Sequence, residues 1–173
     1  MDIASNRTRA GYLAAAAVTV MIAGCGTAAT DFEYVYLPGT ELESGVNLPF
    51  TPAIKVRGGN IVFLSGITGA PVPHSHPHVP SEFDNLNFDA AAQTEQVMER
   101  LQETVRAAGG ELGDVIQVTR FVKDIGANQD AINEVMNRYW GVHRPASTSV
   151  EIVRLATDPR FILEVEAVAV IPD

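Results

Sequence analysis

Between Phe161 and Ile171 the only polar side chains are Glu164 and Glu166; every other position is Phe, Ile, Leu, Val or Ala. A short run this rich in β-branched residues reads as a strand. Successive strand side chains point to opposite faces, so a run that is apolar at both parities is apolar on both sides. The chain must therefore build a sheet with something packed over each face. Glu164 and Glu166 lie two apart and share one of those faces.

The remaining elements follow from period and punctuation. Val115–Val122 and Ser149–Arg154 are β-branched runs and read as strands, with Thr157-Asp158-Pro159 joining the second of them to the closing strand. Ile54-Lys55-Val56 and Ile61-Val62-Phe63-Leu64 flank the turn Arg57-Gly58-Gly59-Asn60 and predict a hairpin. Phe88–Ala108 predicts a helix: Thr94, Val97, Leu101 and Val105 recur at spacings of three and four, Met98 lies beside them, and Gly109-Gly110 stops the run. Asn128–Trp140 predicts a second, with Ile132, Val135, Met136 and Tyr139 on one face. Glu33–Leu37 alternates enough for a short strand, and Pro38–Pro49 reads as loop. Thr68–Asn87, rich in Pro and His, has no period and predicts a long loop, which in a compact domain is functional or mobile. The order β-β-α-β-α-β-β predicts an α+β sandwich, one sheet with two helices on one face. The other face, with Val150, Ile152, Val168 and Val170 or their alternates, is too apolar for water. Further copies of the chain are the economical cover.

The first thirty residues are of another kind. Arg7 and Arg9 precede a stretch from Ala10 to Ala29 without charge, which ends in Ile22-Ala23-Gly24-Cys25. A basic start, an apolar centre and a small-residue end make a secretory signal. The last four residues resemble a bacterial lipobox, in which the cysteine is lipidated and becomes the new N-terminus. The expectation is a signal peptide over residues 1–24, a lipid on Cys25, a tether and loop over 25–49, and a domain over 50–173 at the outer face of a cell membrane. An uncleaved helix of about 20 uncharged residues that just spans a bilayer is the plainer alternative. Thr8 between the arginines argues against the twin-arginine route.

Composition removes several function classes. The 173 residues are 46% hydrophobic and 19% charged, too apolar for a disordered chain. The net charge is -9, which argues against a nucleic-acid partner, whose phosphates want a basic face. A lone cysteine excludes disulfides within the chain and zinc sites built on cysteine. No glycine-rich phosphate loop and no spaced Ser-His-Asp set is present, and no cofactor is expected.

Taken in order, several segments resemble the RidA (YjgF) family. They are Pro49-Phe50-Thr51-Pro52-Ala53, Gly59-Asn60-Ile61-Val62-Phe63-Leu64-Ser65-Gly66, Ala91-Ala92-Gln93-Thr94, Ala107-Ala108-Gly109-Gly110, Val118-Thr119-Arg120-Phe121-Val122-Lys123-Asp124, Asn133-Glu134-Val135, His143-Arg144-Pro145-Ala146, Val150-Glu151 and Glu164 through Val170. The resemblance covers roughly Phe50 to Pro172. It implies a chorismate-mutase-like fold and a homotrimer whose inward sheets bury one another, with small-molecule clefts between subunits. Well-understood members hydrolyse enamines and imines such as 2-aminoacrylate to a keto acid and ammonia. Some members have been described as endoribonucleases, an activity this acidic chain does little to support. The deaminating members read Pro-Ala-Arg-Ser/Thr-Cys-Val-Glu, and their arginine holds the substrate carboxylate. Here the run is Pro145-Ala146-Ser147-Thr148-Ser149-Val150-Glu151, with Ser147 in place of the arginine and Ser149 in place of the cysteine. A guanidinium fork matches a carboxylate at two points, whereas a serine offers one neutral hydrogen bond. The resemblance thus implies a subgroup that lacks the catalytic arginine.

The candidate catalytic residue is Glu164, which the resemblance places near the ligand, where it can orient the hydrolytic water; a solvated strand edge is the alternative. Ser65 and Gly66, at the end of an apolar strand, can present a hydroxyl and an amide to an anion, or form an ordinary turn. Asn133, Ser147, Ser149 and Phe50 complete the candidate ligand set, although Asn133 reads equally as a helix-surface residue and Phe50 as a core residue. Arg120 and Arg144 are the cations that could stand in for the missing arginine. A buried arginine at 120 would need a carboxylate partner. The ligand class is a small carboxylate or imine. His74, His76 and His78 project to one side of an extended segment and include potential metal ligands, but the prolines around them favour a polar surface loop, and no metal is assigned.

Overall fold

A computed structural model of the chain describes residues 30–38 and 50–173. The signal segment 1–24, Cys25 and most of the tether and loop 25–49 lie outside the described residues. Among the described residues no helix is long and apolar enough to cross a membrane.

Six strands and two helices run in the order β1 (Asp31–Val35), β2 (Ala53–Arg57), β3 (Asn60–Thr68), α1 (Ala90–Ala107), β4 (Val115–Lys123), α2 (Ile125–Trp140), β5 (Ala146–Ile152) and β6 (Leu163–Ile171). The main sheet has the order β3-β6-β4-β5. Strand β6 is central and antiparallel to both neighbours, while β4 and β5 are parallel. A parallel pair needs a crossover, and α2 supplies it. The helices and mixed sheet make the α+β architecture that the residue pattern predicts.

The closing strand divides its side chains as its composition requires. Leu163, Val165, Ala167, Ala169 and Ile171 are buried in one cluster with Val97, Met98, Leu101 and Val105 of α1 and Ile132 and Met136 of α2. Each fully buried Val, Leu or Ile contributes about 1.5–3 kcal/mol, so this face holds the helices on the sheet. On the opposite face Phe63 is 80% exposed and pairs in register with Val168, and Val150 is also exposed. Val170 alone is buried there, where the Gly59 turn packs against it. The open face is mixed: Ile61, Phe63 and Val150 are exposed apolar residues, while Gln117, Thr119 and Glu166 lie around Val168.

Helix α1 begins where Asp89 accepts a hydrogen bond from the Ala92 amide at 2.8 Å. Gln93, fully buried, donates from Nε2 to the Phe88 carbonyl at 2.7 Å, and its Oε1 accepts from the Ile162 amide at 2.9 Å. That side chain ties the start of α1 to the entry of β6 and so fixes where Glu164 begins its strand.

One pairing and one strand boundary differ from expectation. The predicted hairpin forms its turn, with Gly58 and Gly59 at φ of 77° and 76°, yet β2 and β3 are not hydrogen-bonded to each other. Strand β2 pairs instead with β1 in a separate antiparallel ribbon. Opposed charges accompany that pairing: Lys55 lies opposite Glu33, with Nζ 2.6 Å from Oε1, and Arg57 lies opposite Asp31 at 3.5 Å. Strand β5 starts at Ala146 rather than Ser149 and lies beside β4. Strand β4 is thus inserted between the last two strands, and Ser147 joins Ser149 as a strand residue.

Candidate functional site

Glu164 is half-buried and crosses the end of β3. A Cβ built at Gly66 would sit 1.9 Å from its Oε1, so the carboxylate occupies the space that glycine leaves. The β3–β6 register shifts between Leu64 and Ile67, beside this crossing. Burial, with Glu166 adding repulsion, raises the Glu164 carboxyl above the ordinary carboxylate range. Ser65, Gly66 and Glu164 line one open cleft with about 420 Å³ of free space.

The same cleft holds residues that sequence reasoning missed. Arg100 and Thr104 enter from α1, and Thr157 from the segment before β6. Arg100 donates to the carbonyls of Thr68, at 3.0 Å, and Ala70. Gln96 faces Gly69 from the previous turn of the helix. Gln96, Arg100 and Thr104 recur at i, i+4 and i+8, a polar stripe beside the buried face of α1 that was readable in the sequence.

The loop over 68–87 brings its three histidines into that cleft. The nearest ring nitrogens of His74, His76 and His78 all lie within 4.8 Å of one another, and the ring centroids are 4.7–5.1 Å apart. The His74 Nδ1–H donates to the Pro71 carbonyl at 2.6 Å, while its Nε2 is buried without a hydrogen-bond partner among the described residues. Glu82 accepts from the amide of Ser75 at 2.8 Å and from its hydroxyl. The far end of the loop is pinned by Arg160. Its guanidinium meets buried Asp158 at 2.9 Å, Asp84 at 2.8 Å and the Pro80 carbonyl at 2.6 Å, and lies 4.8 Å over the Phe88 ring. The loop is therefore a braced structure rather than a free polar surface.

Asn133 and Ser147 lie elsewhere, in a narrow cleft between α2 and the β4–β5 pair that also contains Arg120, Asn137 and Trp140. Arg120 donates to Asn133 Oδ1 at 2.6 Å. It has no carboxylate partner among the described residues, contrary to the expectation for a buried arginine, and its Nε is buried and unpaired. Burial lowers its guanidinium from the usual value. Ser149 pairs in register with Arg120. Arg144 is engaged with the Gly141 and His143 carbonyls. Phe50 lines neither cleft. It precedes buried Thr51, whose amide and hydroxyl are bonded to the Pro145 and Arg144 carbonyls just before β5. The chain therefore does not assemble the candidate residues into a single pocket. Ser65, Gly66 and Glu164 line one cleft, Asn133 and Ser147 the other, with Ser149 in register with Arg120 beside it.

Residues 43–171 match the family described as "Endoribonuclease L-PSP". The chain is 35% identical over 121 residues to the 3-aminoacrylate deaminase RutC of Acinetobacter baylyi, covering 70% of this chain and 86% of that protein. It is 33% identical over 130 residues to the 2-iminobutanoate/2-iminopropanoate deaminase of Escherichia coli K12, covering 72% and 92%. Among solved structures it resembles RidA from the Antarctic bacterium Psychrobacter, with a TM-score of 0.53, 28% identity, and coverage of 70% of this chain and 88% of that one.

Proposed function

From the premise that this chain belongs to the endoribonuclease L-PSP family, the RidA/YjgF family, we propose that it binds or processes small enamine, imine or keto-acid metabolites at clefts completed by a second copy of itself. Glu164 supports this reading. A half-buried carboxyl whose pKa is raised by burial, held over a glycine and beside Ser65, is suited to move a proton to or from water. Hydrolysis of an imine adds water across the C=N bond. The resulting carbinolamine loses ammonia as its hydroxyl proton leaves and the keto group forms. Glu164 takes a proton from the attacking water and passes it to the imine nitrogen, then takes the carbinolamine hydroxyl proton and passes it to the same nitrogen, which leaves as ammonia. Ser65 and the Gly66 amide provide donors for an anionic group.

The two half-sites lie apart in one protomer, and the open sheet face exposes the apolar side chains of Ile61, Phe63 and Val150. A homotrimer that buries this face and sets one protomer's Glu164 group near another's Asn133–Ser147 group accounts for both observations. Substrate carboxylate binding is the weak element, because Ser147 stands where the deaminating relatives carry arginine. Arg120, in the same narrow cleft, is the remaining cation. Ser147 also favours a second reading, a noncatalytic small-molecule-binding or scaffolding module. We place the domain outside the cytoplasm, anchored by lipid on Cys25, on the strength of the basic, apolar and small-residue order of the first 25 residues.

Single-turnover ammonia release from imino acids generated in place tests the catalytic reading. Weak release that falls about 10²–10⁴-fold in Glu164→Gln supports it. Ligand-induced thermal shifts without any ammonia favour the binding module.

A further inference from the structure

The loop that the sequence leaves as a polar surface has the construction of a metal centre. Three imidazoles from alternate residues converge, and among the described residues they are the only group of three His, Cys, Asp or Glu side chains close enough to share an ion. His74 carries the feature that separates a ligand from a stacked ring. Its Nδ1 faces a carbonyl oxygen, which can only accept, so the proton resides on Nδ1 and the Nε2 lone pair is free. Metal-ligating histidines are oriented in this way by an outer carbonyl. That Nε2 is buried and finds no hydrogen-bond partner among the described residues. Phe83 holds the ring edge-on at 5.6 Å, and Glu82 clamps Ser75 between the first two histidines. His76 is exposed and free to turn.

We propose that His74, His76 and His78 bind one divalent transition ion of the zinc type, with its open coordination positions directed into the cleft that contains Glu164. Neutral imidazoles suit zinc, copper, nickel and cobalt(II) and do not suit magnesium or calcium. Nitrogens about 2.0–2.1 Å from a tetrahedral ion stand about 3.3 Å apart. A set already within 4.8 Å reaches that spacing by small rotations of the outer two rings. Three protein ligands leave at least one position for water or a small anion, the arrangement of open rather than structural zinc sites. The site does not depend on deaminase activity: it could operate with either reading of the fold, and it would add a cation to a cleft whose own Arg100 is engaged with backbone carbonyls.

The full chain, freed of metal by chelation, is titrated with Co²⁺ and followed by visible absorption and by metal analysis after gel filtration. The expected result is one Co²⁺ per chain with a four- or five-coordinate spectrum, displaced by one equivalent of Zn²⁺. Replacing all three histidines by alanine should abolish uptake, and His76→Ala alone should weaken it at least about tenfold. If the triple variant does not fold, His76→Ala decides, since that side chain is exposed and contributes no core. Glu164→Gln should bind metal as the unmutated chain does, so loss of ammonia release there and loss of metal uptake in the histidine variants report separately. Failure to take up Co²⁺ or Zn²⁺, or uptake unchanged by His76→Ala and by the triple replacement, overturns the proposal.

Discussion

The cleft at Glu164 is roomy and lined by a carboxylate, three imidazoles and an arginine tied to carbonyls, whereas the cleft at Ser147 is narrow and holds one guanidinium bonded to an asparagine. They also arise differently. The first is assembled from four separated stretches: the end of β3 with the histidine loop that follows it, α1, the segment at Ala156-Thr157, and the start of β6. The second lies between α2 and the strands that α2 connects, so local crossover geometry makes it. A cleft built from distant segments can gain or lose chemistry by changing a loop. A cleft built under one helix changes by substitution in place.

The largest effect should come from separating protomers, because on the proposed function neither cleft is complete alone. Val168 faces away from the helices and sits in register with Phe63 and Gln117 on the open sheet. Val168→Asp would place an unpaired charge in a buried interface, at a cost of several kcal/mol. The unmutated chain should scatter light as a trimer, and the variant as a monomer or as unfolded chain with ammonia release at the uncatalysed level. An active, monodisperse monomer of the unmutated chain would break the link between the two clefts.

A smaller effect is expected within the second cleft. A charge-assisted hydrogen bond is worth about 1.5–3 kcal/mol, so introducing a guanidinium with Ser147→Arg should raise ammonia release about ten- to a hundredfold. Adding Glu164→Gln should remove that gain. Arg120→Met should leave the gain intact if the new arginine is the carboxylate anchor. If the unmutated chain is already fully active and Ser147→Ala changes nothing, loss of activity in Arg120→Met would identify Arg120 as the anchor.

How much of this was legible in the residues differs between the clefts as well. The closing strand announced itself, and its parity placed Glu164 and Glu166 on one face, which the packing of Leu163, Val165 and Ala167 against the helices makes the face away from them. Both helices were read from their period, and Asp89 refined the start of the first by capping it. Pairing was harder. Turn chemistry at Gly58-Gly59 predicted a hairpin, but β2 has another partner, with Lys55 and Arg57 opposite Glu33 and Asp31. Local turn signals cannot weigh a strand more than twenty residues away. The separation of Ser147 from Glu164 was not legible, because it depends on β4 lying between β5 and β6. Nor was the meeting of the histidines with Glu164, which depends on how Arg160 braces the far end of a loop without period.

The smallest predicted effect is on stability, and its sign distinguishes the clefts. Glu164 has a raised pKa in the folded state, chiefly through burial. The folded protein then holds that proton more tightly than the unfolded chain does. The contribution is favourable at low pH and declines as pH rises from the ordinary carboxylate range through the raised value, after which it is flat. Glu164→Gln removes a titrating group without removing its bulk over Gly66. Above that window the variant should melt slightly higher than the unmutated chain, by about 1–3 °C, and below it the two should coincide. Arg100, Glu166 and the three histidines also face or adjoin this carboxylate, but they are present in both proteins and to first order cancel in the difference. Arg120 offers the contrast. Burial lowers its guanidinium, yet an arginine stays protonated throughout the accessible range, so whatever Arg120→Met does to melting temperature should be the same at pH 4 and pH 8. A difference curve for Glu164→Gln that is flat across that range would mean the carboxyl is solvated as at an ordinary strand edge, and would remove the feature on which its proposed proton transfer rests.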